Sequence, residues 1–134
     1  MRKANLVLAT TVVVAALGVA AVARQAAAPT FNRTMLQDQP LSVKDHHGVM
    51  SRSDFQPGAE SGRHTHPGEE FGYVLEGTIE LMEDGKPARR LKAGDYIFVP
   101  ANTVHNARNV GTGTLRVLST YVLETGKPLA TPVK

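Results

Sequence analysis

The sequence predicts an all-β fold, a small sandwich or barrel of short strands, and three observations carry that expectation. Gly and Pro supply 12 and 8 of the 134 residues and are scattered along the chain, which favours many short turns over long helices. No helical period of useful length follows residue 30. Runs rich in β-branched and aromatic residues recur between turn signals, the spacing of a sandwich or barrel. The length suits one domain, and 42% apolar with 20% charged residues is ordinary for a globular chain.

The first element is not a strand. "MRKANLVLATTVVVAALGVAA" has a basic head at Arg2 and Lys3, an uncharged apolar stretch from Leu6 to Ala23, and small residues at its end. That is the layout of a secretory signal cleaved near Ala23, and the alternative is an uncleaved anchor. Either places the folded part outside the cytoplasm, with the periplasm as the expected site and no membrane association after cleavage. Residues 24–34, Ala-rich with Pro29, read as a linker. The barrel is expected over 35–126, and a loose tail with two prolines over 127–134.

Within the barrel, "GVMSRSDF" alternates Val49, Ser51, Ser53 and Phe55 against Met50, Arg52 and Asp54. "QPGAESG" is a loop. "RHTH" is extended and "PGE" turns. "EFGYVLEGTIELMED" is strand-rich, with Gly77 as a bend. Asp84-Gly85 signals a hairpin. A polar strand over Arg89–Lys92 then turns at Ala93-Gly94-Asp95 into an apolar strand, Tyr96–Val99, that Pro100 ends. "TVHNARNV" is extended and "GTGT" turns. "LRVLSTYVLE" is apolar on both faces, as a strand between two layers would be. Phe55, Tyr73, Phe98 and Tyr121 are expected in the core, and some of Phe55, Leu81, Phe98, Val117 and Tyr121 along a cavity.

Chemistry concentrates in "GRHTHPGEEFGYVLEG". Residues two apart on a strand share a face, so His64 and His66 point the same way. Glu70 follows across the Pro67-Gly68 turn and can return to that face. The chain has no cysteine, which excludes disulfides and thiolate metal sites. Two imidazoles and a carboxylate suit Fe, Mn, Ni, Cu or Zn. His105 offers a fourth group if its strand lies beside the first pair. His46 and His47, consecutive in a polar run, face opposite sides and read as solvated. Glu60, Glu76 and Glu80 read as surface or turn carboxylates, and Arg89-Arg90 as a solvated edge.

These motifs resemble those of the cupin superfamily. Gly58, His64, His66, Glu70 and Gly77 stand at the offsets of the first cupin motif, and Gly94, Pro100, His105 and Asn109 at those of the second. The resemblance covers roughly residues 45–123. One departure is Asn102, where the family has glycine; asparagine tolerates a left-handed backbone, so the turn survives. The resemblance implies a single jelly-roll (double-stranded β-helix) barrel of the small bacterial type. It also implies a divalent transition metal held by His64, His66, Glu70 and His105. Glu69 is the adjacent carboxylate, but the six-residue offset to Gly77 selects Glu70.

Four protein ligands on a six-coordinate metal leave about two positions open, which suits a working metal over a structural one. By resemblance to quercetinase-like cupins, the expected activity is a dioxygenase-type oxidation of a small oxygen-chelating substrate. Glu70 then accepts a proton from the substrate hydroxyl. The alternatives are a non-enzymatic metal or small-ligand binder and a barrel whose metal is structural. Loss of residues 1–23 leaves 13 basic against 12 acidic residues, so no basic stripe remains for nucleic acid. A homodimer paired through sheet edges is expected by resemblance.

Overall fold

The structure, a computed structural model, describes residues 27–134. The leader expected over 1–23 lies outside these residues. Among the described residues no helix is long and apolar enough to cross a membrane. They fold into ten strands: β1 Phe31–Pro40, β2 His46–Phe55, β3 His64–Thr65, β4 Glu69–Glu76, β5 Thr78–Glu83, β6 Arg89–Lys92, β7 Tyr96–Val99, β8 His105–Asn109, β9 Leu115–Glu124 and β10 Thr131–Pro132. Two five-stranded sheets result, ordered β1-β2-β9-β4-β7 and β10-β3-β8-β5-β6. Every pairing is antiparallel.

Alternation in the sequence sets which face turns inward. On β2, Val49, Ser51, Ser53 and Phe55 are buried. On β9, Leu115, Val117, Ser119, Tyr121 and Leu123 are buried while the intervening residues are half-buried. Thus β9 closes one core rather than lying between two layers. The main core gathers Phe55, Val74, Ile79, Leu81, Ile97, Val99, Leu115 and Val117, and a smaller cluster of Val49, Tyr121 and Leu123 packs against Leu129. Between these clusters the first sheet carries small residues inward: Ser51 pairs with Ser119, and Gly72 with Ser119. Small side chains facing small side chains leave space, and the cavity forms there.

Two turns bind the motifs together. Asn102 takes the left-handed conformation, at φ 60, and its N–H donates to the His66 carbonyl at 2.7 Å. Gly68 is buried so tightly that a Cβ would stand 1.7 Å from the Val122 carbonyl oxygen.

Several expectations are corrected. The first strand begins at Phe31, inside the segment read as linker, because β1 pairs along β2 from Phe31↔Phe55 to Pro40↔His47. The tail is docked: β10 pairs with β3, and Val133 N–H donates to the Arg63 carbonyl at 2.9 Å. Tyr73 and Phe98 are half-exposed because Val74, Ile97 and Val99 hold the inward positions of β4 and β7. His47 is paired with Asp38 across β1 and β2 at 2.6 Å, not simply solvated.

Candidate metal centre

The site lies between the two sheets. His64 on β3 and His105 on β8 are register partners in the second sheet. Glu70 enters from β4 in the first sheet, and His66 sits on the turn that joins β3 to β4. His64, His66, Glu70 and His105 are all buried. Glu69, by contrast, faces away and is half-buried. The sequence pattern thus brought its four residues together, and His46 and His47 stand apart from them, on β2.

Hydrogen bonds orient each ring. His64 Nδ1 lies 2.7 Å from the Gly62 carbonyl, His66 Nδ1 2.6 Å from the Leu129 carbonyl, and His105 Nδ1 2.9 Å from the Thr103 carbonyl. A carbonyl only accepts, so each Nδ1 must carry its proton and donate. In the neutral ring, Nε2 is then a bare lone pair. The three Nε2 atoms converge, with His64 and His66 Nε2 only 3.2 Å apart. The three rings can each offer a ligand atom within 4.8 Å of the others, a geometry able to hold a metal ion. Ring N–H groups tied to backbone carbonyls are what fixes metal-ligating histidines in place.

Glu70 completes the arrangement. Its Oε1 accepts from Ser119 Oγ at 2.7 Å and from Tyr121 Oη at 3.1 Å. Its Oε2 faces His66 Nε2 at 3.2 Å and His105 Nε2 at 3.4 Å. Burial works against ionisation, but the contacts with His105 and His66 overcome it and hold the carboxyl well below the usual range. Burial pushes His64 down to about 4, so this ring is neutral near pH 7. Burial also lowers His105, but the Glu70 contact and the Thr103 carbonyl prevail and raise it. The Tyr121 phenol is pushed upward by burial and by the Glu70 charge, so it stays protonated and donates.

With Nδ1–H donors engaged, and once no proton sits on Nε2, the cluster presents three nitrogen lone pairs and one anionic oxygen to a common point. Such an array repels itself unless positive charge lies among it, as protons or as a cation. The donor set fits a divalent transition metal, and the buried cluster suggests a metal site; nothing in it selects one metal.

A small cavity open to solvent adjoins the cluster. Phe55, Leu81, Val117 and Tyr121 line it as expected, and Phe98 does not. Sequence reasoning missed three contributors: Ser119, the Leu129 carbonyl and Arg33. Gly68 reads in the sequence as part of a turn, which does not show its close approach to Val122.

The fold and the site define a class of double-sheet β-barrel with a buried three-histidine cluster that could hold a metal, and comparison names it. A family model described as the cupin domain matches residues 51–121, more than half the chain, so the chain belongs to the cupin domain family. It is 42% identical over 45 residues to the dimethylsulfoniopropionate lyase DddQ of Ruegeria pomeroyi, covering 34% of this chain and 22% of that one. It is 39% identical over 85 residues to the cupin-domain-containing oxidoreductase fogC of Aspergillus ruber, covering 62% and 40%. Among solved structures it resembles a cupin-like protein of Thermotoga maritima, with TM-score 0.64, 28% identity, and 78% of each chain covered. The chain spans about half or less of the length of the curated relatives it matches.

Proposed function

We propose that the chain is a metal-dependent oxidoreductase of dioxygenase type, acting on a small oxygen-chelating substrate, with His64, His66, His105 and Glu70 as the metal ligands. One observation carries this reading: the three imidazoles converge, with Glu70 Oε2 within 3.4 Å of two of them, while every Nδ1 is held by a backbone carbonyl. A divalent transition metal held there supplies Lewis acidity and, where redox-active, electron exchange with dioxygen.

The chain's own groups have separate duties. Ser119 and Tyr121 hold Oε1 of Glu70 and keep Oε2 turned toward the histidine nitrogens, where the lone pair not given to a metal would accept the proton of a substrate hydroxyl. Ile79, Leu81, Ile97 and Val117 form apolar walls that keep bulk water from that proton transfer. Similarity to an oxidoreductase supports the redox reading. Similarity to a lyase supports elimination chemistry on the same residues.

Elemental analysis of the purified protein comes first, with one divalent metal per chain expected; a protein that takes up none from any divalent salt overturns the reading. Oxygen uptake with flavonols, catechols and dicarbonyls comes second, with a His64→Ala control. Substrate binding without turnover across the panel replaces the enzyme with a non-enzymatic small-ligand binder. Oxygen-independent product formation replaces it with a lyase.

Two expectations about setting belong to the same proposal. Export through residues 1–23 is tested by cell fractionation and the mass of the mature N-terminus. Self-association has a candidate surface on the outer face of the first sheet. There β7 is an edge strand, and Phe71, Tyr73, Leu75, Tyr96 and Phe98 are all exposed. Phe71 pairs with Phe98 and Tyr73 with Tyr96, so the exposed rings form one patch. A homodimer closed over it becomes monomeric on Tyr96→Glu, read by sedimentation; unchanged mass rejects this surface.

A further inference from the structure

Arg33 is the one arginine among the described residues without a carboxylate partner. The other six, Arg52, Arg63, Arg89, Arg90, Arg108 and Arg116, each lie within 3.9 Å of one. Arg33 is half-buried on β1, and its Nε is shut away from solvent with no hydrogen-bond partner. A buried guanidinium N–H left unmatched is unfavourable, and an anion is its natural complement. Its guanidinium carbon stands 5.4 Å from the centre of the Phe31 ring, which steadies the group from one side.

Arg33 also stands at a junction. It lines the inner cavity together with Ser53, Ser61, His64 and Glu70. It lines as well an outer groove formed by Phe31, Ser61, Gly62, Arg63 and residues of the docked tail. The groove and the cavity share Arg33, Ser61 and His64 in their walls, so the guanidinium stands where the two meet.

We infer that Arg33 makes this cavity selective for a small monocarboxylate, gripping the carboxylate at the mouth while the other end of the ligand reaches the histidine cluster. The inference rests on the reading of that cluster as the working site and names its substrate class. One guanidinium matches one negative charge. The neighbouring cation, Arg63, is already paired with Asp84 at 2.7 Å, so a dianion would lack its second partner. The apolar walls suit the carbon skeleton between the two ends.

The test follows the Arg33 Nε–H resonance, assigned with Arg33→Lys, while lactate is titrated into metal-free and into zinc-loaded protein. Lactamide serves as the neutral analogue of equal size and inorganic phosphate as the dianion. Lactate is expected to shift the resonance saturably, lactamide to leave it unmoved and phosphate to bind more weakly. Arg33→Gln is expected to weaken lactate about tenfold or more, with zinc content unchanged. Arg33→Lys, which keeps the charge and loses the fork, should fall between, and it reads the effect should the glutamine variant misfold.

Lactate binding that is equal in wild type and both variants overturns the inference, and so does wild-type protein that ignores lactate or prefers phosphate. The two readings fail separately. Zinc uptake with no effect of Arg33→Gln sinks the carboxylate grip alone. A shifted Arg33 resonance in protein that takes up no metal sinks the metal reading alone.

Discussion

Glu70 and Glu83 are buried almost equally, at 8% and 5% exposure, yet their surroundings differ in kind. Glu83, at the end of β5, receives Lys86 Nζ at 2.6 Å and Arg89 at 2.9 Å, so its counter-charges are built into the chain. Glu70 receives two hydroxyls on one oxygen and faces two imidazoles with the other. No fixed cation pairs with it among the described residues. A buried anion whose neighbours are hydroxyls and imidazoles needs positive charge beside it, as ring protons or as a bound cation. The difference separates a carboxylate paired within the chain from one left open to a cation, and it can be attacked from both sides.

The largest effect should come from the imidazoles. His64→Ala, His66→Ala or His105→Ala should each lower metal affinity by about 100-fold or more, beyond the loss typical of outer-shell partners. Glu70→Gln should lower it too, whereas Glu83→Gln and His46→Ala should leave metal content unchanged. Elemental analysis after dialysis against a weak chelator reads all six. Equal loss from Glu70→Gln and Glu83→Gln would erase the distinction between the two carboxylates.

Gly68→Ala comes next. The added Cβ meets backbone, the Val122 carbonyl at 1.7 Å, and no side chain can swing away to admit it. The turn that carries His66 and Glu70 must move off β9, at a cost of about 3 kcal/mol. Chemical denaturation measures that cost, and metal content measures the displacement. Full stability and full metal content in this variant would show that the turn is not what sets the ligands.

Much of this was legible because the period of a strand is two. His64 and His66 could be assigned one face, and Ser51, Ser53 and Phe55 another, from spacing alone. Gly58, Gly77 and Gly94 all take positive φ, as turn residues should. What stayed hidden depends on contacts between segments distant in sequence. β1 carries no clean alternation, and its ten residues are strand because β2 offers them an edge. In β7, "YIFV", all four residues are apolar, so nothing local told Ile97 and Val99 from Tyr96 and Phe98. Glu83 was unremarkable until Lys86 and Arg89 closed over it.

The docked tail is the clearest such case, and a smaller effect tests it. The Leu129 carbonyl fixes His66 Nδ1 at 2.6 Å, although composition there suggested only a loose end. Ending the chain at Gly126 removes that acceptor and β10 but no ligand. Metal affinity should fall about tenfold, within the span for outer-shell partners. A competition titration with a fluorescent zinc chelator measures it, and unchanged affinity would mean His66 needs no such support.

The smallest effect returns to Glu83. Burial raises its pKa, but the bonds from Lys86 and Arg89 prevail and hold the carboxyl below its ordinary 4.5. Between the two values the unfolded chain binds the proton and the folded chain does not. Stability from this group is therefore complete above about pH 4.5 and is lost as pH falls through the lower, folded value. Lys86 and Arg89 are roughly half exposed, so solvent screens them and the contribution is about 1 kcal/mol. Replacing both cations, Lys86→Met with Arg89→Met, leaves burial alone to act on Glu83, so the pH dependence should reverse, with stability falling as pH rises through about 4.5 and lower near pH 7, read by urea denaturation of the metal-free protein. The same pair should leave metal content untouched, because the charge they neutralise belongs to Glu83 and not to Glu70. A drop in metal content would show that the two buried carboxylates are coupled through His105, which lies opposite Glu83 in the β5–β8 register.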